Sequence, residues 1–252
     1  MKQKLGIIQS RGLGDLVIAL PIADYYYKQD WEIYWPIAQE FFPHMESAAP
    51  WVNWIPMKTD PQGQYFYNIP LECLNQIGMN EIIPLYQSLT NHPEFTQTAY
   101  FQHTKFDQYK YIRAQVPFHH KWQLKHCISR NYQREQTLYN KLVTNPEYCI
   151  IHLNGSDHTA DFDRSIIPEH WQIIEIKDQT DIIWNWLTIL EKAQSLILVD
   201  SVFANIVDQL GIGDDIYFLP RSHIQLTPTL LHNWTWLENT RLPQHTQIFR
   251  SN

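Results

Sequence analysis

Three short stretches of the chain gather residues able to handle a proton or an anion, each beside an apolar run. The first is RGLGD, Arg11 to Asp15. Its two glycines, Gly12 and Gly14, stand out because the 252 residues hold only 8 glycines, about half of average usage. A strand, a glycine turn and a helix start leave backbone N–H groups free, and such a turn approaches a polar ligand closely. Asp15 would stand at that helix N-terminus, facing the carboxyl end of the first strand. A carboxylate there can act as a general base toward a hydroxyl. The plainer reading is a first-turn aspartate that serves backbone donors and the helix dipole. A dinucleotide fingerprint fails because Val17 stands where its third glycine belongs. No Gly-Lys-Ser/Thr follows to make a Walker A loop.

The second stretch runs from Ile150 to Trp171. Its apolar run ends in Asn154, Gly155 and Ser156, small polar residues able to donate to phosphate oxygens. Arg164 follows and could grip a diphosphate bidentately. An ordinary surface loop with a solvated arginine is the alternative. Asp161 and Asp163 form a D-x-D, a pattern too short and common to indicate a metal here. The third stretch is LILVDSVFANIVDQLGIG, Leu196 to Gly213. Asp200 ends a buried run and Ser201 opens a helix. The backbone at Ser201 and Val202 could hold an anion, and Asn205 lies one turn on. Plain helix capping would use the same residues.

The twelve histidines and three cysteines form no metal-ligand spacing, so no metal and no cofactor is expected. Cys73, Cys127 and Cys149 also lack a disulfide framework, which suits a reducing compartment.

The elements that must hold these residues follow from apolar spacing. Lys4–Gln9, Trp31–Trp35 and Val52–Met57 read as strands, and Gly14–Lys28 as a helix kinked at Pro21. Ile37–Met45, Asn80–Leu89 and Ser129–Val143 read as helices, and residues 60–80 as loop. Residues 100–126 are aromatic, basic and irregular. A second α/β pattern starts at Tyr148: a strand into NGS, a helix start at PEHW, and a short strand at Ile173–Ile176. A helix over Ile182–Lys192, the strand SLILVD, a helix over Ser201–Leu210 and the strand DIYFL complete it. Asn145-Pro146 is the natural linker. Alternating strands and helices imply parallel sheets with crossover helices.

Composition sets limits. A 44% hydrophobic content supplies a core. The formal net charge of −7 argues against general nucleic-acid affinity. No apolar run approaches the roughly 18 residues of a membrane span, and no signal-peptide pattern opens the sequence. The expectation is a cytoplasmic protein.

Taken in order, the three stretches resemble one family. RGLGDLVIALPIA resembles the opening of glycosyltransferase family 9, the ADP-heptose:lipopolysaccharide heptosyltransferases, with its GD–hydrophobic–LP–A run. HLNGSDHTADFDRSIIPEHW is similar to the family's mid-chain donor loop. VDSVFANIVDQLGI is similar to its D-T/S-G-x-x-H-x-A-x-x-L-G segment. The resemblance implies an α/β GT-B fold: two Rossmann-like domains whose parallel sheets face each other across a cleft. Residues 1–144 would form the acceptor side and 145–252 a shortened nucleotide-sugar domain. It implies inverting, metal-independent transfer of a sugar from a nucleotide-diphosphate sugar to a hydroxyl acceptor, a saccharide, a small molecule or another hydroxyl-bearing target. Asp15 would be the base, with Arg11, Gly12 and Gly14 beside the acceptor. Asn154, Gly155 and Ser156 would hold donor phosphate, and Arg164 the departing diphosphate. Asp200, Ser201, Val202 and Asn205 would form the turn beneath it.

Two departures bear on that reading. Val202 replaces the family's glycine, and Asn205 its histidine. Asparagine can donate to phosphate but cannot carry a proton or a positive charge. Only one short strand fits between Trp171 and Ile182, where a helix–strand unit would normally contact the nucleoside. The expected function is therefore a small glycosyltransferase, with residues 100–126 bordering the acceptor. The alternative is a degenerate GT-B module that binds a nucleotide or glycan, or scaffolds a partner, without catalysis.

Overall fold

The structure, a computed structural model, describes residues 2–60, 62–86, 104–155, 159–177, 179–180, 182–221 and 227–240. Its contacts divide the chain into two units, residues 1–130 and 131–252.

The first unit contains β1 (Gln3–Ile8), α1 (Leu13–Tyr27), β2 (Trp31–Ala38), α2 (Phe42–Ala48), β3 (Asn53–Met57), α3 (Asn68–Ile77), β4 (Glu81–Pro84) and α4 (Phe106–Arg113). Its four strands run parallel in the order β3-β2-β1-β4. β1 is interior, with Leu5 opposite both Ile33 and Glu81. Leu5, Ile7 and Ile8 are fully buried, as a parallel strand covered on both faces requires. Leu16 to Asp24 of α1 are all buried, so this helix lies inside its unit rather than on its surface. Pro21 lies inside α1, where its missing N–H removes one helical bond.

Two expectations about this unit fail. Residues 60–80 are not all loop, since α3 occupies Asn68–Ile77 and ends on Gly78 in the left-handed conformation. Leu74 of α3 packs directly under β1: a Cβ on Gly6 would come within 2.8 Å of its side chain. Nor is Asn80 the start of a helix, because Glu81–Pro84 pairs with β1 as β4. A short apolar run such as EIIP suits either element, and only its neighbour decides. The irregular stretch contains α4 and a 3-10 segment over Phe118–His126.

The second unit contains α5 (Tyr132–Leu142), β5 (Tyr148–His152), β6 (Gln172–Glu175), α6 (Leu187–Lys192), β7 (Ser195–Val199), α7 (Val202–Leu210), β8 (Ile216–Leu219) and β9 (Thr235–Trp236). The five strands are parallel in the order β6-β5-β7-β8-β9. Cys149, Ile151, Ile197, Val199 and Leu219 share one buried cluster with Leu153, Phe162 and Ile167 from the loop after β5.

The division between the units lies ahead of α5, whereas the Asn145-Pro146 dipeptide pointed behind it. Thr188 of α6 donates to Glu135 of α5 at 2.7 Å within the interior. The N–H groups of Thr144 and Asn145 both donate to Gln172 Oε1. PEHW does not open a helix. Trp171 N–H closes a single turn onto the Pro168 carbonyl, and Gln172 N–H immediately joins the sheet edge through Glu147. Among the described residues, the chain from β5 to β6 carries a 3-10 turn over Arg164–Ile166 and no α-helix. The helix expected over Ile182–Lys192 is α6 preceded by a 3-10 turn over Ile183–Trp186. Among the described residues no helix is long and apolar enough to cross a membrane.

Candidate active site

Parallel strands end together on one edge of a sheet, and open α/β sheets bind ligands at that carboxyl edge. In the first unit β1 and β4 end side by side, with Ile8 opposite Pro84. The chain that follows each strand builds the site.

After β1, Gly12 takes φ +80 and α1 starts without a side-chain cap. Instead of capping, the Asp15 carboxylate folds back over Gly12. A Cβ at position 12 would collide with Oδ2 and come within 3.1 Å of Cγ. The backbone angle thus favours glycine, and the observed carboxylate position leaves no room for a Cβ. The Asp15 side chain keeps about a third of its exposure, and its Oδ1 lies 3.0 Å from the ammonium of Lys110. Lys110, on α4, is itself buried at 4% exposure. Its Nζ also donates to Gln9 Oε1 at 2.6 Å and to the Leu85 carbonyl at 3.4 Å. An ion pair and two hydrogen bonds surround one ammonium, which is how a buried lysine is tolerated.

Gln9 is held in turn: its amide donates to the Arg11 carbonyl at 2.7 Å, and Trp35 Nε1 donates to the Gln9 carbonyl at 3.0 Å. Tyr86, two residues beyond β4, braces the same turn. Its phenol oxygen accepts the N–H groups of Ser10 (2.9 Å) and Arg11 (3.1 Å) and lies 2.8 Å from Ser10 Oγ. With both lone pairs occupied, the phenol O–H donates to the serine. Burial pushes the Tyr86 hydroxyl up to about 12, so it stays a protonated donor at neutral pH. Arg11 lies over the Tyr65 ring at 5.5 Å, donates to its hydroxyl at 3.2 Å and approaches Glu40 at 3.8 Å. Its guanidinium remains substantially exposed, so the Glu40 pair contributes little to stability.

In the second unit β5 and β7 end side by side, with His152 opposite Leu198. Ser201 follows in extended conformation and α7 has no side-chain cap. The Ser201 hydroxyl turns instead to His152 Nδ1 at 2.9 Å. The imidazole packs edge-on against Phe203, and burial lowers it to about 4, so it is neutral at pH 7. Ser201 thus leaves the first N–H groups of α7 to another partner. Asn205 is buried, and both its backbone N–H (3.2 Å) and its side-chain amide (2.9 Å) donate to the Ser201 carbonyl. Asp200 is buried at the strand end, its N–H bonded to Leu219, and Val202 opens the helix.

The loop after β5 gives a looser arrangement. Asn154 bridges Thr159, whose hydroxyl donates to Asn154 Oδ1 at 3.1 Å. Gly155 follows, and Ser156 lies outside the described residues. Arg164 is exposed on its 3-10 turn. The D-x-D carboxylates serve their own backbone: Asp161 accepts from Phe162 N–H and Asp163 from Ser165 N–H. Among the described residues no group of three or more His, Cys, Asp or Glu is placed to hold a metal ion.

Sequence reasoning missed Lys110, Gln9, Tyr86 and His152. Lys110 lies 95 positions from Asp15, and nothing local ties the two. His152 did carry a signal, being a polar residue at the carboxyl end of an otherwise apolar strand.

No protein-family model matches this chain, and no curated protein sequence matches it. Solved structures do. It is similar to a family 9 glycosyltransferase from Veillonella parvula (TM-score 0.59, 12% identity), covering 96% of this chain and 89% of that one. It is similar to the E. coli ADP-heptose lipopolysaccharide heptosyltransferase II (TM-score 0.55, 12% identity), over 93% and 90% of the two chains. The E. coli heptosyltransferase WaaC, solved with ADP-2-deoxy-2-fluoro heptose, matches with TM-score 0.51 and 10% identity over 94% and 92%. The expected GT-B-like α/β fold is thus the fold of this chain, built from two parallel sheets.

Proposed function

We propose that the protein is an inverting, metal-independent glycosyltransferase acting from a nucleotide-diphosphate sugar onto a hydroxyl acceptor. The observation that carries this reading is the Asp15 carboxylate, part-exposed at the carboxyl edge of the first sheet and held in place by a buried lysine. In the reaction, Asp15 takes the proton of the acceptor hydroxyl. The hydroxyl oxygen bonds the anomeric carbon, and the C–O bond to the diphosphate breaks with its electron pair leaving on phosphate. Negative charge grows on the diphosphate, where fixed donors lower the barrier. The uncapped first turn of α7, beside Val202, is suited to that task, with Ser201 fixed by His152 at its edge. Asn154, Gly155 and Arg164, on the loop after β5, are assigned to the donor, as is Ser156 by the resemblance, and Arg11 to the acceptor. A nucleotide sugar is favoured as donor because the similar WaaC structure contains an ADP-sugar analogue. Three free thiols, two of them buried, suit a reducing compartment such as the cytoplasm.

Thermal-shift screening against UDP-, GDP- and ADP-sugars, followed by assay of nucleotide release, tests the proposal. A stabilising donor that is consumed supports it. Absence of any stabilising donor contradicts it.

One observation favours the second reading, a binding module without catalysis: Asp15 is tied into an ion pair, and a purely structural carboxylate would be tied the same way. That reading requires donor binding without turnover.

A further inference from the structure

Lys110 is a buried cation that the resemblance does not assign, and it touches the proposed base. Its side chain is 5% exposed; the ammonium pairs with Asp15 Oδ1 and donates hydrogen bonds to Gln9 Oε1 and the Leu85 carbonyl. Buried in this way, it acts on the site through the groups it touches. Gln9 and Leu85 follow directly on β1 and β4, so two of its three acceptors belong to the rigid sheet edge. The α4 helix that carries it is fixed to α1, since Tyr111, the next residue, donates to the Ile18 carbonyl at 2.9 Å. The ammonium is thus immobile, and it holds one particular carboxylate oxygen.

Resting on the glycosyltransferase reading above, we propose that Lys110 is a positioning residue that divides the Asp15 carboxylate. Oδ1 belongs to the ammonium. Oδ2, above the Cα of Gly12 where no Cβ intrudes, is the atom that receives the acceptor's proton. The acceptor O–H bond breaks, the proton moves to Oδ2, and Lys110 keeps all its protons throughout. The freed oxygen attacks the anomeric carbon, and the diphosphate leaves with the electron pair of the broken bond. A free carboxylate rotor would present either oxygen at variable angle, and misplacement of this kind lowers the rate of the chemical step rather than donor affinity.

The test is a double-mutant cycle on whichever of the UDP-, GDP- or ADP-sugars the wild-type protein consumes. Lys110→Met keeps the length of the stem and removes the charge. It should lower kcat at least tenfold and leave the donor KM within about twofold. In an Asp15→Asn background the same change should alter the residual rate by less than twofold, because Lys110 acts only through that carboxylate. Fully additive losses, or an unchanged kcat in Lys110→Met, overturn the inference while leaving the base assignment intact. Should Lys110→Met fail to fold, Gln9→Ala removes one tether of the ammonium. It should lower kcat without changing donor KM, and an unchanged kcat there overturns the inference equally. If Asp15→Asn itself keeps full turnover, or the wild type consumes no donor, the glycosyltransferase mechanism falls and this inference with it.

Discussion

The Asp15 carboxylate lies folded over the Cα of Gly12, so a side chain at position 12 and the observed carboxylate position exclude each other. Gly12→Ala should therefore act on the site out of proportion to its effect on stability. Position 12 also holds φ +80 and ψ 95, backbone that costs a non-glycine residue about 1–3 kcal/mol. Denaturant unfolding should register a loss of that order, while turnover should fall by roughly tenfold or more as the carboxylate is pushed aside. Equal turnover in Gly12→Ala and wild type would show that this carboxylate position is not the working one.

Tyr86 controls the same turn from outside it. Tyr86→Phe removes the acceptor of two backbone N–H groups, and leaving buried donors unpaired costs about 1–3 kcal/mol. The midpoint of urea unfolding should fall accordingly, with an unchanged slope. Hydrogen exchange at the Ser10 and Arg11 amides should accelerate more than exchange elsewhere in β1. Uniform acceleration would show that the phenol stabilises the unit without bracing the turn.

His152 gives a pH signature. Its folded-state value, near 4, lies below the ordinary histidine value of 6.5 because burial disfavours the cation. Between those values the unfolded chain binds more protons than the folded one, so stability rises with pH across that window. The contribution is complete above pH 6.5 and is lost as pH falls toward 4, on the order of 3 kcal/mol in all. His152→Gln should flatten that part of the stability–pH curve relative to wild type. Identical slopes for the two proteins between pH 6.5 and 4 would contradict the buried neutral imidazole.

Asp208 is a structural carboxylate and should behave as one. It is fully buried and accepts from the backbone of Leu231 and His232 and from Trp234 Nε1. Asp208→Ala strands those donors and should cost about 1–3 kcal/mol, read as a fall in thermal midpoint. Donor affinity at a temperature where the variant is folded should not change. A selective loss of donor binding would place Asp208 in the site instead.

The sequence disclosed the strand–turn–helix units because their signals are local. The apolar runs at β1, β5 and β7 and the polar residues just beyond them are contiguous, and each bounds an element observed in place. What stayed hidden depends on distant partners. EIIP became β4 only because β1 offers it an edge, and PEHW failed to open a helix because Gln172 is taken at once by the sheet. Site residues divide the same way. Asp15 announced itself through its glycines, whereas Lys110 reaches it from a different helix. Ser201 looked like a cap, yet its hydroxyl bonds His152, 49 positions earlier.

Asp15→Ala tests the central claim most directly. With the donor sugar nucleotide selected by thermal shift, the variant should keep the wild-type stabilisation by that donor. It should lose nucleotide release and sugar transfer by a factor of about 10² or more, the usual scale of a general base. A variant that binds the donor and still turns it over at the wild-type rate would contradict the assignment of Asp15 as the base.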